Sequence, residues 1–252
     1  MSVQAQFTRL AAEDGRGALV TVVAGEPLGA KLLVRADGSR EGDLGEASEA
    51  AVAAAEELMW SDRSELREHG ELSLFVDVTY PAPRLIVFGA VDYSAALCRL
   101  ARAAGWRPYV SDPRSQFATP ERFPEAERVI AAWPQESLAE LGIDRATYIA
   151  VLTHDPKLDD AVLGIALRSE AAYVGAMGSR RAQERRRERL LEAGFTDAEL
   201  ERLAAPIGLD LGAADPEETA LSIMAEVVAV RHDRSGGRLS EKSGGRIHEV
   251  GA

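Results

Sequence analysis

Arg84-Leu-Ile-Val-Phe-Gly-Ala-Val-Asp-Tyr-Ser94 is the stretch whose reading decides the fold. Leu85 to Phe88 form an unbroken apolar run, as in a parallel strand covered on both faces, and Gly89 ends it where the chain must turn sharply. A helix follows at once. Ala95, Ala96, Leu97, Cys98, Leu100, Ala101 and Ala104 supply helix formers with an apolar face, and Gly105 stands where a left-handed terminal residue is wanted. Tyr109 and Val110 then give a second strand that ends at Asp112, 23 residues after Gly89. That is where a dinucleotide fold keeps its ribose-binding carboxylate. The phosphate loop is altered, however. Gly89, Val91 and Ser94 occupy the places of a Gly-x-Gly-x-x-Gly series, and a valine at the second place crowds a pyrophosphate. The pattern predicts a Rossmann-like strand-helix-strand unit whose first turn is not an ordinary NAD loop.

Downstream, Gln116 to Pro134 is broken up by Thr119-Pro120, Phe123-Pro124 and Trp133-Pro134, with Arg128 to Ala132 as a third strand. Leu138 to Leu141 suits a helical turn or two. Tyr148 to Leu152 is a fourth, buried parallel strand, and it runs into Thr153-His154-Asp155-Pro156. Asp155 before Pro156 is a helix start, with a side-chain acceptor at the cap and a proline whose missing N–H is harmless at the first position. That helix is expected to reach about Ser169. Ala172 to Gly175 is the fifth strand, and Gly178-Ser179-Arg180-Arg181 opens the next helix, whose free N–H groups and dipole favour an anion. From Arg185 onward its arginines and glutamates read as a solvated face with local ion pairs. A glycine-punctuated loop, Pro206-Ile-Gly-Leu-Asp210-Leu-Gly212, precedes a final helix from Pro216 to about Val230 that is apolar almost all round and so expected to be buried. Glu226 lies on its polar strip, either directed at a site or paired at the sheet edge. That helix surface is compatible with a homodimer or with a monomer core.

Upstream, Gly17 to Ala24 and Ala30 to Arg35 read as a hairpin, Ser48 to Trp60 as a helix and Leu72 to Val78 as an antiparallel strand with one wet face. Residues 1–80 are therefore expected to form a small α+β domain, and Pro81-Ala-Pro83 a stiff joint to a Rossmann-like domain over 84–232. Residues 233–252 read as a tail, poorly ordered or draped over the surface.

Composition limits the functions open to the chain. At 252 residues and 46% hydrophobic content it can bury one full core and a smaller one. A net charge of −12 argues against nucleic acid as a general partner. No apolar run approaches the roughly 20 residues of a membrane helix, and the start has neither a basic segment nor an apolar signal core, so the expected compartment is the cytoplasm. The single cysteine, Cys98, excludes an internal disulfide and a multi-cysteine metal site, and its setting is that of a core residue. No metal is expected, since Asp155 is accounted for as a cap.

Gly89, Asp92, Asp112, His154, Asp155, Gly178, Ser179 and Arg180 all fall at or just beyond the carboxyl ends of expected parallel strands, the edge at which open α/β sheets bind ligands. One crevice is expected to hold them, with Asp210 and Glu226 as further candidates.

Several segments together resemble the XdhC/CoxI family: Asp112-Pro-Arg114, Glu121-Arg-Phe-Pro124, Leu152-Thr-His-Asp155, Tyr173-Val-Gly-Ala-Met-Gly-Ser-Arg-Arg181, Pro206-Ile-Gly-Leu-Asp-Leu-Gly212 and Pro216-Glu-Glu-Thr-Ala220. The likeness covers residues 84–248 and, more loosely, the N-terminal unit through Gly29 to Val34 and Gly42 to Gly45. It implies an accessory protein that binds molybdenum cofactor (molybdopterin), protects it while a cysteine desulfurase supplies the sulfido ligand, and delivers it to an apo-molybdoenzyme of the xanthine or carbon monoxide dehydrogenase type. The chain departs from the family pattern at Gly89-Ala-Val-Asp92, where Gly-Ala-Gly-His is usual. Gly45-Glu-Ala-Ser48 replaces a Gly-Gly-Cys turn, and a Cys-Gly-Gly element is absent. The expected function is that of a cofactor chaperone rather than a catalyst. The alternatives are an NAD-dependent oxidoreductase using the same crevice, for which Asp112 would favour NAD over NADP, and a docking protein that binds no small molecule.

Overall fold

The structure, a computed structural model, describes residues 1–241. The chain divides into two compact units, the first ending at Ala82 and the second starting at Pro83.

In the first unit, helix α1 (Val3–Ala12) precedes strands β1 (Gly17–Ala24), β2 (Lys31–Arg35) and β3 (Arg40–Gly42), helix α2 (Ser48–Trp60), and strands β4 (Glu65–His69) and β5 (Leu72–Val78). The five strands form an antiparallel sheet in the order β3-β2-β1-β5-β4. Alternation along the strands decides which helix covers which face. Val20, Val34, Leu74 and Val76 pack under Ala51, Ala55 and Leu58 of α2. Leu19 and Leu33 point the other way, to Phe7 of α1. The hairpin, α2 and β5 match the reading of the sequence, whereas α1, β3 and β4 are additions to it.

The second unit runs β6 (Arg84–Phe88), α3 (Asp92–Ala103), β7 (Arg107–Ser111), β8 (Arg128–Ile130), α4 (Pro134–Leu141), β9 (Thr147–Val151), α5 (Pro156–Ala166), β10 (Tyr173–Ala176), α6 (Arg180–Glu192), α7 (Asp197–Leu200), β11 (Leu203–Ala204) and α8 (Pro216–Arg231). All strand pairs are parallel, in the order β11-β10-β9-β6-β7-β8. The chain starts at the centre, winds to one edge through β7 and β8, then returns to build the other half. This is the doubly wound Rossmann order, with its switch point between β6 and β9. The sheet has six strands where the sequence pattern predicts five, because β11 is only two residues long.

Period-two alternation again sorts the core. Ile86, Phe88, Ile149, Val151 and Val174 meet Val162, Leu163 and Ala166 of α5 and Leu190 of α6. Leu85, Val87, Tyr148 and Ala150 meet Leu97 and Ala101 of α3 and Ile223, Met224 and Val227 of α8. Helix α8 corrects the expectation of a fully buried helix. Leu221 is 54% exposed and Val230 43% exposed, because only the stripe through Ala220, Ile223, Met224 and Val227 faces the sheet and α3. Of the expected tail, residues 233–241 are described and Gly236 lies against the Leu209 side chain. Residues 242–252 lie outside the described part of the chain, as does the end of the family likeness at 242–248.

Candidate functional site

Because every strand of the second sheet is parallel, Gly89, Asp112, His154 and Gly178 all follow carboxyl ends on one edge. At the switch point Gly89 has φ +109°, and a Cβ there would lie 3.0 Å from the Thr153 amide nitrogen, so only glycine fits between the exits of β6 and β9. The turn that follows is closed by Asp112. Its Oδ2 accepts from the Ala90 N–H (2.8 Å) and Arg114 Nη2 (2.7 Å), and its Oδ1 from the Arg114 N–H and Nε (both 2.9 Å). Burial pushes this carboxyl up, but the Arg114 guanidinium and the Ala90 and Arg114 amides outweigh it and hold the group below the ordinary carboxylate range. Asp112 is thus spent on the protein's own loop. Asp92, exposed at the start of α3, pairs with Arg122 at 3.4 Å.

Between the exits of β9 and β10 the local chemistry differs. The Thr153 hydroxyl accepts from the Asp155 N–H (2.8 Å), and Asp155 caps α5 by accepting from the Lys157 N–H (2.9 Å). His154, between them, is exposed. Gly178 has φ +137° and Ser179 caps α6 at the Ala182 N–H (3.3 Å). Arg180 follows, exposed and outside any ion pair among the described residues. The turn is held from beneath by α6. Gln183 Nε2 donates to the carbonyls of Ala176 (3.2 Å) and Gly178 (3.1 Å), and Arg186 Nη2 donates to that of Met177 (3.1 Å).

Arg186 overturns the expectation of a solvated face from Arg185 onward. It is 4% exposed and salt-bridged at 2.5 Å to Asp159 of α5, itself 3% exposed, with a second contact to Gln183 Oε1. Burial raises the Asp159 carboxyl above its ordinary value although Arg186 pulls it down. Asp159 Oδ1 and Arg186 Nε have no hydrogen-bond partner, an incomplete pairing in a buried ion pair. Beside them Arg189 grips Asp160 through two bonds of 2.8 and 3.0 Å.

An open pocket of about 310 Å³ lies here, lined from the segments after β9 and β10 and from α5 and α6. Pro156, Met177 and Ala182 give it an apolar lining and His154, Arg185, Arg186 and Arg189 a basic one, with Asp159 as the one carboxylate and Gly178 completing it. Its volume stands at the small end of the roughly 300–1,000 Å³ of ligand pockets. Of the residues anticipated from sequence, His154 and Gly178 line it. Ser179 and Asp155 serve as helix caps near it, and Asp210 is exposed in the loop before α8. Glu226 resolves to the paired alternative, accepting from the Gly208 N–H (2.8 Å) and the Tyr173 hydroxyl. Burial and then the Glu226 carboxylate push the Tyr173 phenol well up. Among the described residues, no cluster of three or more His, Cys, Asp or Glu is placed to hold a metal ion, and no helix is long and apolar enough to cross a membrane.

Asp159 and Arg186 escaped the sequence reading, though a signal exists. Ala182, Arg186 and Leu190 are spaced four apart, so an inward-facing Leu190 carries Arg186 inward with it.

The family described as the XdhC Rossmann domain matches residues 85–227, more than half of the chain and the whole parallel sheet apart from one residue of β6. The chain belongs to the XdhC family. Its relatives include a protein of Bacillus subtilis (strain 168) named as a probable xanthine dehydrogenase component, 31% identical over 159 residues, covering 63% of this chain and 46% of the relative. The molybdenum cofactor insertion chaperone PaoD of Escherichia coli (strain K12) is 30% identical over 151 residues, 60% of this chain and 41% of PaoD. An uncharacterized Escherichia coli (strain K12) protein, YqeB, is 27% identical over 239 residues, 88% of this chain and 44% of YqeB. The chain spans less than half the length of each of these three. A solved structure described as a xanthine dehydrogenase from Bacillus halodurans superposes with a TM-score of 0.64 over 90% of this chain and 66% of that one, at 23% identity, which establishes the shared fold.

Proposed function

We propose that this chain binds molybdenum cofactor as cargo and delivers it to an apo-molybdoenzyme of the xanthine dehydrogenase or carbon monoxide dehydrogenase type. Membership of the XdhC family and the likeness to a cofactor insertion chaperone support an accessory role for molybdenum hydroxylases. The observation that carries the reading is the pocket itself. In a chain of net charge −12 it is lined by three arginines and a histidine against one aspartate, beside an apolar wall of Pro156, Met177 and Ala182. Molybdenum cofactor combines a fused heterocycle with an anionic end, and such a molecule needs both kinds of lining. When delivered, the group supplies the client's oxygen-transfer chemistry, while this chain binds, orients and shields it.

Two features bear on the alternatives. The Asp112 carboxylate already accepts four hydrogen bonds from Ala90 and Arg114, and the Ala90 N–H is used in one of them, which disfavours an NAD ribose and pyrophosphate at the switch point. Cys98 is buried with its thiol pushed up to about 12, so a cysteine desulfurase partner would have to pass sulfur to the cargo without a thiolate from this residue.

Cofactor released from a purified molybdoenzyme and mixed with the protein is expected to co-elute with it through a desalting column, and to be handed on to apo-xanthine dehydrogenase. Elution of all cofactor in the small-molecule fraction at micromolar protein would reject the reading. A rise in melting temperature with NADH alone would put the oxidoreductase reading in its place.

A further inference from the structure

We propose that the basic wall of the α5–α6 pocket is the seat of a phosphate monoester, with Arg185 as its principal partner. This rests on the cofactor-binding reading and narrows it, since it names the group that meets the anionic end of the cargo and places it one turn further along α6 than the helix start expected from the sequence.

The argument is one of unspent charge. Three guanidiniums line the pocket. Arg189 is committed to Asp160 through two hydrogen bonds. Arg186 is paired with Asp159, but its buried Nε remains without an acceptor, so that pairing does not exhaust its positive edge. Arg185 makes no ion pair among the described residues, although Glu184 and Glu188 sit on the same helix and other α6 arginines find carboxylates. His154, from the loop between β9 and α5, adds a ring nitrogen donor to the same lining. A doubly charged oxyanion supplies acceptors to Arg185 and His154 and lies in the positive field of Arg186, and guanidinium forks suit its geometry better than any point charge does. The apolar wall then receives what the phosphate is attached to. Asp159 also lines the pocket and its Oδ1 is a buried acceptor without a partner, so a ligand N–H or O–H brought against it would complete its pairing. The chemical class is therefore a phosphorylated heterocycle with a polar hydrogen near its apolar face. A pterin phosphate and a purine nucleoside monophosphate share that chemistry.

The test uses the intact chain and four probes: inorganic phosphate, a pterin without phosphate, the same pterin as its phosphate ester, and guanosine monophosphate. Calorimetric titration at fixed ionic strength is expected to show phosphate-dependent binding that R185Q weakens roughly ten- to a hundredfold. R181Q, one turn away and outside the pocket lining, is expected to bind as the unaltered protein does. Pterin phosphate binding more tightly than guanosine monophosphate assigns the site to the cofactor, and the reverse order assigns it to a nucleotide. Cofactor retained equally by the wild-type protein and R185Q, with no competition from phosphate, overturns the phosphate seat and leaves cofactor binding standing. Arg185-dependent phosphate binding without any cofactor retention keeps the seat and rejects the cargo. Absence of both overturns both.

Discussion

At the scale of single residues, the buried Asp159–Arg186 pair separates what holds the protein together from what the pocket does. Both partners are almost fully enclosed, so the pair recovers its desolvation cost only while both are present. Replacing Arg186 by methionine leaves a lone carboxylate in the interior and is expected to cost about 3–5 kcal/mol. The double variant R186M/D159N should cost less than R186M alone, because no charge is stranded. The pH dependence follows from the direction of the Asp159 shift. Its folded pKa is raised by burial, so its contribution favours the folded state at low pH and is lost as pH rises through that raised value. Removing the guanidinium that pulls it down raises it further. R186M should therefore be closest to wild-type stability in mildly acidic buffer and fall behind as the pH approaches 7, as urea unfolding at stepped pH would show. A deficit that stays constant with pH would mean that lost packing, not a stranded charge, sets the cost. The four-residue spacing from Leu190 singles out Arg186 among the six arginines of α6 as facing inward, but nothing in the sequence names Asp159 of α5 as its partner, which only the packing of α5 on α6 decides.

At the scale of elements, what was legible depended on how much apolar pattern each element carried. Strands β6 and β9 are continuous apolar runs and read as buried parallel strands, which the structure bears out. The Asp-Pro starts of α5 and α8 also appear as caps, with Asp155 and Asp215 each accepting an amide of the first turn. Strand β4, Glu-Leu-Arg-Glu-His, has no alternation of hydrophobic with polar because it is an edge strand with only Leu66 apolar, and Leu66 faces solvent. β11 is two residues of pairing beside β10, too short for any pattern. α1 escaped notice because its buried contribution is one residue, Phe7. Caps can be told from ligand groups by a graded substitution. Asparagine is as good a cap as aspartate, so D155N should leave the melting temperature within about a degree or two and D155A should lose about 1 kcal/mol of stability. If D155N also retains ligand as the wild-type chain does, Asp155 acts through the α5 start alone. A D155N variant that keeps its stability but releases ligand would make the carboxylate part of the binding surface.

At the scale of the whole molecule, the parallel order places widely separated segments of sequence on one edge, yet that shared edge contains two chemically different places. The switch point is closed by Asp112 and Arg114, and the open, basic pocket lies one strand over, between β9 and β10. Topology was readable because each strand-helix-strand step is local. The choice between the two places was not, because it turns on whether Asp112 looks outward or back onto Ala90. The hydrophobic clusters of the two units share no residue, since the antiparallel sheet packs on α1 and α2 while the parallel sheet packs on its own helices. Damage to one core should therefore remain local. Leu58, fully buried under the antiparallel sheet, is a suitable probe, and L58A is expected to cost about 2–5 kcal/mol. Amide exchange should then accelerate in β1, β2 and β5 while β6, β9 and β10 keep their protection, and phosphate binding at Arg185 should be unchanged. Equal loss of protection in both sheets would show that the units unfold as one cooperative body, and the pocket's stability would then have to be counted over the entire chain.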